Sequence, residues 1–590
     1  MSSAAEAEHD GVLIETPENV AFTFAPAGIG ARALAYLIDL VVRGTPFLVL
    51  AIVLSLTDTL LDIIHLGHVG IAISTLAFFG IQWLYYLLFE YFWQGRTPGK
   101  RAMGIRVVMD GGYPLTFTAA AVRNLMRLAD FLPLLYALGI VSAFVSRRSK
   151  RLGDFAAGTL VVREEAFDIK YLAVIEQASA PASETASARA PLSPQEIDLV
   201  TKFIQRQRTF DDVTRYNLAE KIVAGIRPKV QGTSPRLEDM YSGHDYVGYL
   251  ELVLALAERA APSRGDVGVN RFVKEHKEAW VQLAGFVERV DAAGLKSLAH
   301  SELRDVTRLY RQAAGDLAYS KTFFGRTGLT RFLNTLMGRA HNHIYRAPAT
   351  ARVSVVEFFR SGFPAAFQRS YAYFALALYI FIASAVLGAV AYSVDERTIS
   401  LFLSPEAIEG VRQHRLWTHE IFSVTPSSVA SATILTNNIS VTIAAFALGV
   451  TAGAGTVYIL LLNGLMLGAT MMFTSTHAMG YDLWSFVGAH GFIELFIIMV
   501  AGAAGLRMGH ALLAPGDLTR AESLKESAKE AVLLVLGGAP VLVVAGIIEG
   551  FVSPQESVPG WVKIVFGAGL LLALVTYLVR QVPRRQDKQV

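Results

Sequence analysis

Polar side chains that could bind a proton, an ion or a polar ligand interrupt the long apolar segments between residues 435 and 551. They are Asn437, Asn438, Asn463, His490, Glu494 and Glu549. Ionisable groups inside an apolar span are costly, and they usually face a packed interior or a water-filled path. We therefore predict that these residues form an intramembrane polar site.

His490 and Glu494 are four residues apart, so a helix places them on one face within hydrogen-bonding reach. Three interpretations of the site are open. Its groups could have a purely structural role, in which they hydrogen-bond across helices and fix the packing. They could instead carry protons or ions, or line a cavity for a lipid-linked ligand, a peptide or a partner protein.

Enzymatic chemistry is disfavoured by the motifs. The segment HGFIE lacks a second histidine at helical spacing, so it cannot complete a catalytic zinc site by itself. Neither GxGxxG nor GxxxxGK[ST] occurs in the chain. We predict no catalytic residues, no metal, no cofactor and no enzymatic activity.

The composition indicates a membrane protein. Of 590 residues, 53% are apolar and only 17% are charged. The chain has no cysteine, which excludes disulfides and thiolate ligands. A net charge of +3 is too small to indicate a nucleic-acid partner.

The order of apolar and polar segments predicts an all-α multi-pass membrane protein. It has an N-terminal helical membrane module with a small β-hairpin, a central cytoplasmic helical domain and a C-terminal five-span bundle. The predicted boundaries are a cytoplasmic leader at 1–31, the first membrane module at 32–165, a linker at 166–195, the cytoplasmic helical domain at 196–370, the five-span domain at 371–580 and a cytoplasmic tail at 581–590.

The first membrane module is expected to contain two spans joined by an outer loop at 57–68. A strand at 105–109 should pair with one at 158–162. The apolar run at 131–145 is flanked by basic residues on both sides, which predicts that residues 118–146 form a re-entrant or full helical hairpin with its turn near Pro133.

The charge distribution predicts the orientation of the chain. After the membrane is re-entered at 371–394, further spans are expected at about 431–452, 455–475, 485–506, 531–551 and 561–579. The outer loops predicted at 57–68, 476–484 and 552–560 contain no Lys or Arg, whereas the segment 507–529 and the tail are basic. The positive-inside rule therefore predicts cytoplasmic termini and places the polar site in the outer half of the bilayer.

A second pair of charged residues lies near the start of the first span. Arg32 and Asp39 are seven residues apart and share a helical face. Arg32 could extend to the lipid headgroups. Asp39 could bond a buried partner such as Arg43 or an arginine of the hairpin, or it could coordinate an ion.

Residues 20–165 resemble the RDD family of bacterial membrane proteins. The resemblance rests on ARALAYLID, GRTPGKRAMGIRVV and RLGDFAAGTLVV. The family is named for an arginine and two aspartates, which Arg32, Asp39 and Asp154 match, with Asp130 as an alternative to Asp154. The resemblance implies a membrane module, with an ion-exchange activity suggested for some members.

Residues 270–555 resemble the stage II sporulation protein M family. The carrying segments include FVKEHKEAWVQL, LTNNISVTIAAFALGV, NGLMLGA and AHGFIELFIIMV. Members in spore formers act with cell-wall hydrolases, while many others occur outside sporulating organisms. The resemblance implies a multi-pass protein of the bacterial inner (cytoplasmic) membrane, and the fusion to an RDD module argues against assigning sporulation.

Small residues at helical spacing predict close helix packing. Gly464 with Gly468, and Gly505 with Gly509, form GxxxG pairs that could also support a homodimer. The expected partners are the lipid bilayer and proteins of the cytoplasm and the envelope. In the central domain His341 and His343 are two residues apart and so point to different faces of a helix, which disfavours a shared metal.

Two functions from different classes follow from these features. The first is a non-enzymatic membrane scaffold or assembly factor tied to cell-envelope or cell-wall processes. The alternative is an ion- or proton-coupled transporter that uses Asp39, His490 and Glu494.

Overall fold

The computed structural model describes residues 12–17, 20–63, 67–131, 137–146, 148–164, 192–207, 210–231, 235–259, 266–294, 297–325, 327–344, 355–418 and 426–580. These residues form two compact units. One contains residues 24–164 and 355–580, and the other contains residues 13–23 and 192–344. The predicted tail at 581–590 and most of the predicted linker lie outside the described residues.

A two-stranded sheet lies within the predicted leader. Strands β1 (Val12–Glu15) and β2 (Ala21–Phe24) pair with each other. At the end of β2, the Thr23 main-chain N–H donates to Asn334 Oδ1 at 2.8 Å, and Asn334 Nδ2 donates back to the Thr23 carbonyl oxygen at 2.8 Å. These two bonds attach β2 to the helices of the second unit.

The first membrane module contains long helices, short helices and one sheet. Its elements are α1 (Ile29–Ile63), α2 (Gly67–Phe92), α3 (Pro98–Ala102), β3 (Ile105–Met109), α4 (Phe117–Leu125), α5 (Arg127–Phe131), α6 (Ala137–Val145), α7 (Leu152–Ala157) and β4 (Thr159–Arg163). Strands β3 and β4 are antiparallel with Val107 opposite Val161, which confirms the predicted pairing of the two segments, although four helices separate them in the chain. The predicted turn near Pro133 lies outside the described residues.

The end of α1 differs from the prediction. A loop was expected at 57–68, but α1 continues to Ile63 and α2 already begins at Gly67. The chain has no glycine or proline between Phe47 and Ile63 to end the helix. The less apolar residues from position 57 onwards therefore form the end of α1 and not the start of a loop.

The second unit contains seven helices after β2. They are α8 (Pro194–Arg206), α9 (Asp212–Val230), α10 (Pro235–Ser242), α11 (Tyr246–Arg259), α12 (Asp266–Ala293), α13 (His300–Phe323) and α14 (Gly328–Ile344). Trp280, Leu283 and Val287 of α12 are buried, and the Trp280 indole N–H donates to Asp316 Oδ2 at 2.7 Å. The spacing of these three residues is that of one face of a helix, which explains why they are buried together.

The C-terminal region contains the main helical bundle. Its helices are α15 (Val355–Glu357), α16 (Phe363–Arg369), α17 (Tyr371–Val394), α18 (Pro405–Arg412), α19 (Ser427–Ala447), α20 (Ala454–Thr476), α21 (Gly480–Val487), α22 (Gly491–Leu513), α23 (Arg520–Phe551) and α24 (Gly560–Val579). A π-helical turn, Phe358–Gly362, joins α15 to α16. The helix α22 is the most deeply buried of the long apolar helices.

The predicted number of spans in this bundle is wrong. Among the described residues, seven helices are long and apolar enough to cross a membrane, and six of them lie in this region. They are α17, α19, α20, α22, α23 and α24. The helix that re-enters the membrane, α17, packs along α20 and α22 and so is a sixth member of the bundle. The class of all-α multi-pass membrane protein is confirmed.

The helix α23 connects the bundle to the first membrane module. It begins at Arg520, where Thr519 and Glu522 form a capping box. Its 32 residues rise about 48 Å, more than the ~30 Å hydrocarbon core of a bilayer. The polar first part packs against α4 and α7, and Lys525 Nζ lies 3.9 Å from Asp110 Oδ2.

Candidate functional site

Three of the predicted polar residues lie together at one end of the bundle. His490 directly precedes α22, Glu494 lies in the first turn of α22, and Glu549 lies in the last turn of α23. One nitrogen or oxygen atom from each lies within 4.8 Å of the others. We call these three residues the His–Glu–Glu cluster.

His490 lies between two side chains at the end of α23, Glu549 in its last turn and Ser553 just after it. Its Nδ1 is 2.9 Å from Ser553 Oγ, and its Nε2 is 3.6 Å from Glu549 Oε1. His490 is 4% exposed and Glu549 is 6% exposed. The 3.6 Å separation exceeds the ~2.7–3.2 Å of an N–H···O hydrogen bond. The imidazole and the carboxylate therefore face each other without a direct hydrogen bond.

The two carboxylates differ in their other contacts. The Asn438 side chain of α19 lies near Glu494. Glu549 Oε2 is buried and has no hydrogen-bond partner among the described residues. Asn438 therefore belongs beside the cluster, and Glu549 presents an unsatisfied acceptor within it.

The remaining predicted asparagines do not join the cluster directly. Asn437 is exposed, and its Nδ2 donates to Asn438 Oδ1 at 3.3 Å. Asn463 Nδ2 donates to the Ile459 carbonyl oxygen at 2.8 Å, within its own helix α20. Ser553, which hydrogen-bonds to His490, was missed because one serine after a span carries no specific signal.

The GxxxG glycines are used for contacts within the chain. A Cβ atom at Gly464 would overlap the Ser384 hydroxyl, and one at Gly468 would overlap the Ala385 carbonyl oxygen. On α22, a Cβ at Gly505 would overlap the Ala445 carbonyl oxygen. A Cβ at Gly509 would likewise overlap the backbone of Gly453. These faces are occupied inside the bundle, and a homodimer would have to use another surface.

The arginine and the second aspartate of the RDD motif lie together in the first membrane module. Arg32 Nη1 is 3.3 Å from Asp154 Oδ2, so Arg32 is paired inside the module and does not extend to headgroups. Asp154 is fully buried and also pairs with Arg123. The alternative residue, Asp130, lies 3.4 Å from Arg151 Nε.

Asp39 has other partners than the predicted ones. Its carboxylate accepts hydrogen bonds from Tyr85 Oη at 2.9 Å, Thr97 Oγ1 at 2.6 Å and the Gly99 main-chain N–H at 2.8 Å. Arg43 instead stacks over the Tyr86 ring at 5.7 Å. Asp39 therefore bonds buried groups other than Arg43 and joins α1 to α2 and α3.

Glu90 is the centre of a charged network that the sequence analysis missed. It pairs with Lys100 and, at 3.2 Å, with Arg123 Nε, and it accepts a hydrogen bond from Asn124 Nδ2 at 3.1 Å. Burial lowers the pKa of Lys100 to about 8, although the Glu90 carboxylate favours its charged form. A glutamate at the end of an apolar helix was the available signal, because such a charge needs a partner.

The two histidines of the second unit have separate partners. His341 Nδ1 is 3.0 Å from Tyr310 Oη, and His343 Nε2 is 3.0 Å from Asp291 Oδ1. Burial alone would raise the pKa of Asp291. Hydrogen bonds from His343 and Arg339 outweigh it and lower that pKa to about 2.

The lowered pKa of Asp291 predicts how stability depends on pH. Because it lies below the ordinary value of 3.8, the carboxylate stabilises the fold above about pH 4, and this contribution disappears as the pH falls towards 2. We expect Asp291→Asn to cost about 2 kcal/mol at pH 7. Hydrogen exchange of α14 in the intact chain, corrected for intrinsic rates, measures the loss.

The exposed Asp305→Asn, which removes only a surface pair with Arg308, serves as the control and should change stability by less than ~0.5 kcal/mol. The difference between Asp291→Asn and the wild type should shrink as the pH is lowered from about 4 to about 2. A difference that stays constant with pH would contradict the assignment.

Comparisons with known proteins identify domains in three parts of the chain. Residues 26–158 match the RDD family, residues 377–554 match Stage II sporulation protein M, and residues 270–346 match a Domain of unknown function (DUF8413). The first two matches contain Arg32, Asp39 and Asp154, and all three residues of the His–Glu–Glu cluster. No curated protein and no solved structure matched the chain.

Proposed function

We propose that this chain, which joins an RDD family domain to a stage II sporulation protein M domain, is a membrane scaffold or assembly factor of the bacterial cell envelope. The two matched domains are membrane modules, and the chain is a multi-pass membrane protein. Its role is to hold partners on both sides of the inner membrane, without chemistry of its own.

The packing of the two membrane modules carries this proposal. They belong to one compact unit, with α2 against α19 and the polar end of α23 against α4 and α7. Lys525 of α23 lies 3.9 Å from Asp110 Oδ2 and also covers Gly158. A joint assembly of this kind suits a structural platform better than two independently acting transport units.

The charges of the RDD module support the same conclusion. Arg32, Arg123 and Lys100 are each paired with Asp154 or Glu90, and Asp39 accepts three hydrogen bonds. Groups that carry ions or protons must change partners or protonation during each cycle. Buried charges with fixed partners favour a structural role for this module.

The orientation follows from the charge pattern of the sequence. With the basic segments on the cytoplasmic side, the helical domain at 196–370 and both termini are cytoplasmic. The His–Glu–Glu cluster then lies in the outer half of the bilayer. The helical domain would receive cytoplasmic proteins, and the outer end of the bundle would contact components of the envelope.

A transporter is the second candidate, and the His–Glu–Glu cluster is the observation that favours it. Ionisable groups inside a helical bundle mark ion or proton paths in many membrane proteins. Under this hypothesis Glu494 would change its protonation or bind an ion in each transport cycle.

Reconstitution separates the two functions. We expect the purified chain in liposomes to show no proton or sodium flux above that of empty liposomes, and Glu494→Gln to behave like the wild type. A pH- or sodium-driven flux that Glu494→Gln abolishes would replace the scaffold with the transporter.

The link to the envelope is tested in cells. Depletion of the chain should alter the incorporation of fluorescent D-amino acids into the cell wall, and expression of the wild type should restore it. Unchanged labelling after depletion would remove the envelope role from the proposal.

A further inference from the structure

We propose that the His–Glu–Glu cluster binds one divalent transition-metal ion, with Zn²⁺ as the best-fitting ion, and that the ion cross-links α22 to α23. His490 and Glu494 come from the start of α22, and Glu549 comes from the end of α23. The inference does not depend on the scaffold function, because metal content is a property of the purified chain.

The donor atoms favour a transition metal over other divalent ions. Imidazole nitrogens and carboxylate oxygens are both among the ligands that Zn²⁺ takes in proteins, and three protein ligands leave a fourth position for water. Ca²⁺ and Mg²⁺ prefer six or more oxygen ligands, and a histidine nitrogen is a poor substitute for them. The missing second histidine of HGFIE is no obstacle, because the third ligand comes from another helix.

The distances fit a shared ion better than a direct bond. Zn²⁺ lies about 2.0–2.2 Å from its ligands, so two ligands of a tetrahedral ion are about 3.4 Å apart. His490 Nε2 and Glu549 Oε1 are 3.6 Å apart, which is too long for a hydrogen bond and close to that value. Glu494 lies within 4.8 Å of both and needs only a small side-chain movement to complete the set.

The surroundings of His490 suit a metal ligand. Ser553 Oγ is 2.9 Å from His490 Nδ1, so a proton on Nδ1 can be donated to it, and the Nε2 lone pair then faces the glutamates. Ligating histidines usually donate their second N–H in this way. Lys563 Nζ donates to the Ser553 carbonyl oxygen at 2.7 Å, which fixes the position of this serine.

The charge balance requires a cation or protons. In the described part of the chain, no lysine or arginine pairs with Glu494 or Glu549. Glu549 Oε2 is buried without a hydrogen-bond partner there, which is costly for a carboxylate. A divalent cation between two carboxylates and a neutral imidazole neutralises the site and satisfies this oxygen.

Metal analysis tests the proposal on the full chain purified in detergent without a polyhistidine tag. The protein is stripped with a chelator, equilibrated with Zn²⁺, separated from free ions and analysed by mass spectrometry of the metal. We expect the wild type to retain one zinc ion that Glu549→Gln lacks. The matched control is Glu556→Gln, an exposed glutamate after the same helix, and it should retain the ion.

Two further measurements keep the test valid if Glu549→Gln does not fold. Ser553→Ala leaves all three ligands in place and should weaken zinc binding about 10–100-fold, as expected for the partner of a ligating histidine. Addition of Zn²⁺ to stripped wild type should raise its Tm by several degrees, whereas Mg²⁺ should not.

Equal zinc content in folded wild type and folded Glu549→Gln would overturn the proposal, as would a wild-type Tm that does not respond to Zn²⁺. Either result would leave protons as the neutralising species of the two glutamates. Failure of the proposed function would appear separately, as ion flux in liposomes or as unchanged cell-wall labelling.

Discussion

Arg123→Met is expected to lower the free energy of unfolding by about 3–5 kcal/mol, the usual cost of removing one partner from a buried charge pair. Arg123 is 3% exposed and pairs with both Glu90 and Asp154. Methionine fills similar space but supplies no charge. Glu90 would then keep only Lys100 as a charged partner, and Asp154 would keep Arg32 and the more distant Arg151.

Unfolding of the purified chain in SDS, followed by circular dichroism, measures this loss. Arg163→Met is the matched control, because Arg163 is exposed on β4 and its replacement should change stability by less than ~0.5 kcal/mol. Adding Glu90→Gln to Arg123→Met should restore part of the lost stability, since it removes one of the two buried carboxylates that lose a charged partner. A loss below ~1 kcal/mol for Arg123→Met would show that the network is not needed for folding.

Local properties of the sequence predict most of the architecture. Long apolar segments determine where helices can cross a bilayer, so four of the six long helices of the C-terminal region lie within a few residues of their predicted bounds. The other two differ more, since α22 begins six residues later and α23 eleven residues earlier than predicted. A short apolar run before the turn at 110–112 predicts β3, which pairs with β4 as expected. The polar residues of the His–Glu–Glu cluster were found because charges in apolar segments are rare.

Contacts between distant segments were not predictable in the same way. Arg43 and a hairpin arginine were the candidate partners of Asp39, yet its partners are uncharged groups of α2 and the start of α3. Asn463 is a polar residue in an apolar span like Asn438, but its amide donates within its own helix, whereas Asn438 lies near Glu494. Which side chains face one another depends on the rotation of each helix about its axis, and a hydropathy pattern does not determine that rotation.

Gly468→Ala is expected to cost about 1–3 kcal/mol, because the added methyl group must separate two helices that are in backbone contact. A Cβ at Gly468 of α20 would overlap the Ala385 carbonyl oxygen of α17. The contact is reciprocal, since a Cβ at Gly388 of α17 would overlap the Leu465 carbonyl oxygen. A main-chain oxygen inside a helix cannot turn aside as a flexible side chain can.

Gly569→Ala is the matched control for this prediction. Gly569 lies in the transmembrane helix α24, and a Cβ there would meet no atom within 4 Å. Both substitutions improve helix propensity by up to ~1 kcal/mol, so only the contact of Gly468 distinguishes them. SDS unfolding should therefore show a loss for Gly468→Ala and none for Gly569→Ala. Equal stability of the two variants would mean that α17 and α20 are not held in backbone contact, and the GxxxG face of α20 would then be free to associate with another chain.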